Sequence, residues 1–215
     1  RSELIKRGIY KAVSTILTQV TVDPYDESSY TPMKVVGRVM NAEEAKEEEA
    51  KGNFVVKEGD GYRRIVAAPK PVAIVEIDAI RALADADQPV IAAGGGGIPV
   101  MEQGSHLKGA SAVIEKDRAA GLLAKELDAD VLMFITGVPN VVLNYGSDHP
   151  INIDKMTTAD AARYAGEGHF KTGSMLPKVE SSIDFINAGK GRRAIITSLD
   201  GAKSALAGKG GTTIQ

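Results

Sequence analysis

The chain has 215 residues, of which 43% are hydrophobic and 25% are charged, so it has the composition of a folded protein and the length for one large domain. Its formal charge of −2 argues against a general nucleic-acid binder, and no apolar run approaches the roughly 20 residues that cross a bilayer. The absence of cysteine excludes disulfides, thiolate nucleophiles and cysteine-ligated zinc, and favours a cytoplasmic location.

Glycine and proline divide the first half of the chain into short apolar runs and longer amphipathic runs, a pattern typical of β-α units. In chain order we predict a strand at 12–22, an acidic helix at 42–51, helically spaced apolar residues at 72–83 and a strand at 89–93. The segment at about 24–65 differs in composition and is predicted to be a small subdomain that protrudes beside the main sheet. Its glutamate run is expected to be a solvated helix face.

The second half repeats the pattern more regularly. We predict helices at 117–127, about 158–165, 174–188 and from 200, and strands at 130–136, 141–145, 192–198 and 212–214. Continuous apolar strands between helices indicate an α/β fold with a mainly parallel central sheet covered on both faces. Ligands of such sheets bind at the carboxyl ends of the strands. Residues 1–215 are expected to form one domain that carries the subdomain.

Four consecutive glycines, Gly94, Gly95, Gly96 and Gly97, follow the strand predicted at 89–93. Such a turn can direct several backbone N–H groups at one anion, but it is equally expected where another backbone packs closely. The run matches neither the Walker lysine motif nor the GxGxxG fingerprint. No GxSxG motif is present, and the three histidines are too widely spaced for a metal cage.

Two lysines stand at predicted helix N-termini, where a cation opposes the helix dipole. Lys116 precedes Asp117, which could cap its helix, and Lys178 follows Ser174, a credible N-cap residue. Each lysine alone could simply be solvated. Together they predict that a multiply charged anion is held between them. Lys34, in the predicted subdomain, is a third candidate.

Eight segments in chain order resemble carbamate kinase, of the amino-acid kinase superfamily. They are LTQVTVDPYD (17–26), TPMKVVG (31–37), GDGYRRIVAAPKP (59–71), VIAAGGGGIPV (90–100), LKGASAVIEKDRAAGLLAKELDAD (107–130), VVLNYG (141–146), EGHFKTGSMLPKVES (167–181) and GKGGTTI (208–214). The resemblance implies a three-layer α/β/α sandwich, usually a homodimer. It also implies that a phosphoryl group is transferred between ATP and carbamate in the presence of Mg²⁺. The transfer forms or consumes carbamoyl phosphate, and it often serves to make ATP during arginine or purine degradation.

The resemblance also implies site residues. Lys116 and Lys178 resemble the two lysines that flank the transferred phosphoryl group, Asp117 the acid that orients them, and Lys34 the lysine of the protruding subdomain. Backbone of Gly94, Gly95, Gly96 and Gly97 would line the substrate and phosphate site. Thr136, Gly137, Tyr145 and Met175 lie on segments that surround the nucleotide. No protein metal ligands are implied, because Mg²⁺ would arrive with ATP or ADP.

Some positions depart from the family pattern. Gly137 stands where Asp or Ala is usual, and Met33 and Val35 replace Thr and Pro beside Lys34. Two other functions therefore remain open: another acylphosphate-forming amino-acid kinase, or a non-catalytic relative that binds nucleotide or anion. The family's opening strand and two of its glycine turns are not found, so we expect the 215 residues to need a preceding portion for folding and activity.

Overall fold

Strands and helices are interspersed along the chain, most often as runs of three or four strands followed by a helix. The computed structural model describes residues 1–215, and the chain forms two compact units, Arg1–Lys116 and Asp117–Gln215. In the first unit the elements are α1 (Ser2–Lys6), β1 (Ser14–Thr15), β2 (Gln19–Val22), β3 (Lys34–Met40), α2 (Ala42–Ala50), β4 (Phe54–Glu58), β5 (Gly61–Val66), β6 (Pro71–Ile74), α3 (Ile77–Asp85), β7 (Val90–Ile91), β8 (Ile98–Gln103) and β9 (His106–Gly109).

The main sheet of the first unit has the strand order β6-β2-β8-β9. Its central pair, β2 and β8, is parallel, and the edge strands β6 and β9 are antiparallel to their neighbours. Val20, Ile74 and Val100 are buried beneath this sheet. Strands β1 and β7 form a separate parallel pair. The α/β class is therefore confirmed, with both pairings in one sheet.

The predicted subdomain segment contains a compact antiparallel sheet of order β3-β5-β4. Its helix α2 begins with a capping box, in which the Asn41 side chain accepts from the Glu44 amide and the Glu44 carboxylate accepts from the Asn41 amide. Ala45 is the buried residue of this helix, and most of the glutamates are exposed. The interpretation of the acidic run as a solvated helix face is confirmed.

Helix α4 (Lys116–Glu126) begins at the boundary between the units. The second unit continues with β10 (Val131–Thr136), β11 (Val141–Leu143), β12 (Ile151–Ile153), β13 (Lys155–Met156), α5 (Thr158–Gly166), α6 (Met175–Asn187), β14 (Arg193–Ser198), α7 (Ala202–Leu206) and β15 (Thr212–Ile214). Its main sheet has the order β10-β14-β15-β13, and β10 is parallel to β14. Residues 194–197 of β14 are buried on both faces, as its uninterrupted apolar run predicts.

Three predictions of local structure were wrong, and one hairpin was not predicted. The strand predicted at 12–22 is divided between β1 and β2, and the helix predicted from 72 begins only at Ile77, after β6. The strand predicted at 141–145 ends at Leu143 because Asn144 adopts a left-handed conformation, with φ 53°. The hairpin of β8 and β9 was not predicted, because most of its side chains are exposed and it carries no regular apolar pattern.

Candidate active site

Lys34 and Lys116 meet at one carboxylate in the first unit. The Lys34 Nζ donates to Glu115 Oε2 at 2.6 Å, and the Lys116 Nζ donates to Glu115 Oε1 at 3.3 Å. The Glu115 side chain is 12% exposed, whereas those of Lys34 and Lys116 are 35% and 64% exposed. We call these three residues the Glu115 cluster. The sequence does not single out Glu115, because glutamate is common and its partner Lys34 is 81 residues away.

The two lysines determine the charge state of Glu115. Its partial burial raises its pKa, but the hydrogen bonds and charges of Lys34 and Lys116 outweigh burial and hold the pKa below its usual value. Glu115 is therefore an anion at neutral pH. The cluster carries two positive charges and one negative charge, so its net charge is positive.

The four-glycine turn packs against Ile114, the residue that precedes Glu115. A Cβ on Gly96 would lie 2.2 Å from the Ile114 carbonyl oxygen, and a Cβ on Gly97 would lie 2.5 Å from the Val20 side chain. The φ angles of Gly96 and Gly97 are 102° and 83°, which only glycine adopts freely. Close packing, the alternative open from the sequence, thus explains these two glycines. Their backbone lies next to the residue that precedes Glu115.

Hydrogen bonds within the turn decide which amides remain for a ligand. The Gly96 amide donates to the Ala93 carbonyl at 2.9 Å, and the Gly97 amide donates to the Gly94 carbonyl at 3.2 Å. A Cβ at Gly94 or Gly95 would meet nothing within 4 Å. Of the four predicted glycines, Gly94 and Gly95 are therefore the two whose amides make no hydrogen bond within the turn.

Asp117 and Lys178 form a buried ion pair in the second unit. Lys178 Nζ donates to Asp117 Oδ2 at 2.7 Å and to the Ser174 carbonyl at 3.2 Å. Both side chains are less than one-tenth exposed. We call them the Asp117 pair. The prediction that Ser174 caps its helix was wrong in one respect: Ser174 occupies the N-cap position, but its side chain makes no capping hydrogen bond.

A glycine that the sequence did not single out explains how α4 and α6 come close enough for this pair. Gly121 is buried on α4, and a Cβ there would lie 2.8 Å from the Ser181 Cβ on α6. Gly121 lies one turn after Asp117, and Ser181 lies one turn after Lys178. Arg118 and Glu180 bridge the same two helices at 2.8 Å. A glycine inside a predicted helix was the available signal.

The four residues predicted to surround the nucleotide lie on different elements of the second unit. Thr136 ends β10 and pairs with Ser198, and exposed Gly137 follows it. Tyr145 is 60% exposed, with the Lys171 ammonium 5.4 Å from its ring centroid. Met175 begins α6 and packs against the core of the unit. Thr136 and Gly137 are thus at the carboxyl end of a strand, where sheet ligands bind.

No group of three or more His, Cys, Asp or Glu residues is arranged to hold a metal ion. His169 lies 3.2 Å from a Glu167 oxygen and packs edge-on against Tyr164. None of the helices is both long and apolar enough to span a bilayer.

Known proteins resemble this chain over its whole length. Residues 31–198 match the family model described as the amino acid kinase family. The chain is 48% identical to the carbamate kinase-like protein YqeA of Escherichia coli, with 100% of this chain and 69% of that protein covered. It is 47% identical to a carbamate kinase of Clostridium perfringens, with the same coverage. A Giardia lamblia carbamate kinase bound to AMP-PNP superposes with a TM-score of 0.93 at 38% identity, covering 99% of this chain and 68% of that one.

Proposed function

Because this chain belongs to the amino acid kinase family, we propose that it transfers a phosphoryl group between ATP and carbamate, forming or consuming carbamoyl phosphate. The similarity to carbamate kinases over the whole chain carries this proposal. The enzyme is a phosphotransferase whose acceptor is a carboxyl group. Its lysine clusters suit this chemistry, since phosphoryl transfer asks a protein mainly for positioning and for positive charge around the transferred group.

We propose that Lys116 and Lys178 neutralise the charge that develops on the transferred phosphoryl group. Asp117 orients Lys178 through their 2.7 Å hydrogen bond, and Lys34 contributes a further ammonium from the subdomain at about 24–65. Lysine suits this role as a compact charge with three N–H donors. Backbone amides of the turn at Gly94, Gly95, Gly96 and Gly97, chiefly the first two, bind substrate or phosphate.

In the direction of carbamoyl phosphate synthesis, a carbamate oxygen attacks the γ-phosphorus of ATP. The new bond joins this oxygen to phosphorus, the bond between the γ-phosphorus and the bridging oxygen breaks, and ADP leaves with that electron pair. The lysines do not form covalent bonds. They hold the equatorial phosphoryl oxygens, which carry most of the charge in the transition state.

Further properties belong to the same proposal. Thr136, Gly137, Tyr145 and Met175 surround the nucleotide in this proposal, and the binding of AMP-PNP by the Giardia lamblia relative supports ATP or ADP as that nucleotide. Mg²⁺ binds mainly through the nucleotide phosphates and adds positive charge there, because Mg²⁺ often needs only one or two protein carboxylates. Residues 1–215 belong to one amino-acid-kinase-like domain in this proposal, and the protein is a cytoplasmic homodimer.

A second candidate function is that of a kinase that forms a different acyl phosphate, or of a non-catalytic relative that binds nucleotide or anion. The 48% identity to a protein named only as carbamate kinase-like, together with Gly137, favours considering it. A coupled assay for ATP formed from ADP decides, with carbamoyl phosphate and acetyl phosphate as alternative donors. We expect ATP from carbamoyl phosphate. Nucleotide binding without ATP formation from either donor would contradict the kinase function. ATP formation from acetyl phosphate but not from carbamoyl phosphate would show that carbamate is not the substrate.

A further inference from the structure

We infer that Glu115 is a positioning residue, which holds Lys34 and Lys116 together so that both ammonium groups act on one phosphoryl anion. This inference rests on the proposed function. Its basis is that one little-exposed carboxylate accepts from both lysines, through separate oxygens, at 2.6 and 3.3 Å. Lys34 and Lys116 come from distant parts of the chain, so a side chain that touches both defines where they meet.

Lys34 needs such a partner because of where it stands. It is the first residue of β3, its side chain is about one-third exposed, and the neighbouring Met33 is largely exposed. A lysine side chain has about 2 kcal/mol of rotamer entropy, so an unrestrained Lys34 would sample many positions. The hydrogen bond to Glu115 restricts it before any substrate binds.

Glu115 restricts the lysines without cancelling their charge. The cluster keeps a net positive charge, because one carboxylate faces two ammonium groups. Each ammonium has three N–H donors, and Glu115 takes one from each. A phosphoryl group has several oxygens that can accept the further N–H donors of Lys34. The cluster is therefore organised for an anion.

Two roles for Glu115 predict opposite effects of removing its charge. If Glu115 only neutralised excess positive charge, the Glu115→Gln variant would bind phosphate-bearing substrates more tightly and react at least as fast. If Glu115 positions Lys34, the same variant loses turnover because an ammonium is misplaced. A misplacement of about 1 Å at a reacting centre can cost on the order of 100-fold in rate.

The subdomain offers a matched control in Glu48. Its side chain is 20% exposed, and it also faces two cations, with Lys51 at 2.9 Å and Arg64 at 3.4 Å. It also accepts from the Asn53 amide group at 2.7 Å. Glu48 is not part of the proposed active site. The Glu48→Gln variant therefore removes a comparable carboxylate charge without touching Lys34.

The test compares wild type with the Glu115→Gln, Glu115→Asp, Lys34→Ala, Lys34→Ala/Glu115→Gln and Glu48→Gln variants, in ATP formation from ADP and carbamoyl phosphate. We expect Glu115→Gln to lower kcat about tenfold or more and to leave the KM for ADP within about twofold. Glu115→Asp should recover part of the loss, and Glu48→Gln should behave as wild type. In the Lys34→Ala background, Glu115→Gln should lower kcat by clearly less than it does in wild type, because only the hold on Lys116 remains to be lost. Unchanged or higher kcat, or independent losses in the double variant, would overturn the inference.

A second readout needs no activity. Mild acetylation followed by mass spectrometry measures how readily each lysine reacts. Lys34 should react several-fold faster in Glu115→Gln than in wild type or Glu48→Gln, because its ammonium is released. Equal rates would overturn the inference. An inactive wild type would instead contradict the proposed function, while the labelling rates still decide whether Glu115 holds Lys34.

Discussion

The Glu115 cluster and the Asp117 pair both join lysine to a carboxylate, but in different surroundings. In the Asp117 pair both side chains are buried, so the pair must keep its geometry or leave a charge unpaired in the protein interior. In the Glu115 cluster both lysines are partly exposed, and such pairs add only about 0–1 kcal/mol to stability. The Asp117 pair is thus held in place by burial, whereas the Glu115 cluster depends on its hydrogen bonds, chiefly that of Lys34 to Glu115 at 2.6 Å.

Substitution of Lys178 tests this difference most severely. We expect Lys178→Ala to lower kcat by about 10²–10³ and to lower the free energy of unfolding by about 3–5 kcal/mol, because Asp117 loses its buried partner. Lys116→Ala should lower kcat by a similar factor but should change the free energy of unfolding by less than about 1 kcal/mol. Chemical denaturation and ATP-formation kinetics measure both. The Asp117→Asn/Lys178→Met variant should regain stability and stay inactive; equal stability losses for the two single variants would contradict the comparison.

The glycine turn beside the Glu115 cluster gives the next largest effect. Gly96→Ala should lower the free energy of unfolding by about 3 kcal/mol, because it adds a positive-φ side chain against the Ile114 carbonyl oxygen. Gly94→Ala is the matched control, with nothing near the added Cβ and an expected change within about 0.5 kcal/mol. Urea unfolding measures both. Similar values for the two variants would show that the turn does not pack as described.

The helix contact beneath the Asp117 pair gives a smaller effect. Gly121→Ala gains about 1 kcal/mol of helix propensity, but it brings two Cβ atoms too close at Ser181, at a cost of about 1–3 kcal/mol. We expect a net loss of about 1 kcal/mol and a lower kcat as Asp117 and Lys178 move apart. The Gly121→Ala/Ser181→Gly variant relieves the contact and should recover kcat. Full activity in Gly121→Ala would mean that the helix contact does not determine the geometry of the Asp117 pair.

Acid titration gives the smallest effect, and it concerns the Glu115 cluster alone. Because the pKa of Glu115 is lowered by folding, its contribution to stability is complete above the unfolded value of about 4.3 and is lost as pH falls through the folded value. Unfolding free energies measured between about pH 6 and pH 3 should therefore fall less steeply in Glu115→Gln than in wild type. Parallel curves would mean that the lysines do not affect this carboxylate.

The sequence indicated the lysines more readily than the residues that hold them. Lys116 and Lys178 were found because a cation at a helix N-terminus is electrostatically unusual. Glu115 was missed because its role depends on a contact with Lys34, which only the folded chain creates. Gly121 was missed for a similar reason, since its value depends on Ser181 of a facing helix. Local patterns identify charged groups, whereas their partners depend on tertiary contacts.

The same distinction separates the well-predicted elements of the fold from the others. The predicted bounds of β10, β14 and β15 agree with the structure to within one residue. For β10 and β14 the reason is a largely apolar run, which indicates a strand in the interior of a sheet. The boundary between β6 and α3 was missed because Val72 and Ile74 continue the helical spacing of α3 by coincidence. Strand β6 exists because it pairs with β2, and a local pattern does not show that pairing.

The antiparallel sheet of β3, β5 and β4 has a consequence for the order in which the chain folds. All its strands lie within residues 34–66, whereas Val20 of β2 pairs with Pro99 of β8, far along the chain. Local pairings need little loop closure and form quickly, and distant ones form slowly. The sheet that begins with Lys34 should therefore form early, so that this lysine is already mounted on a folded strand when the slower pairing of β2 with β8 is made.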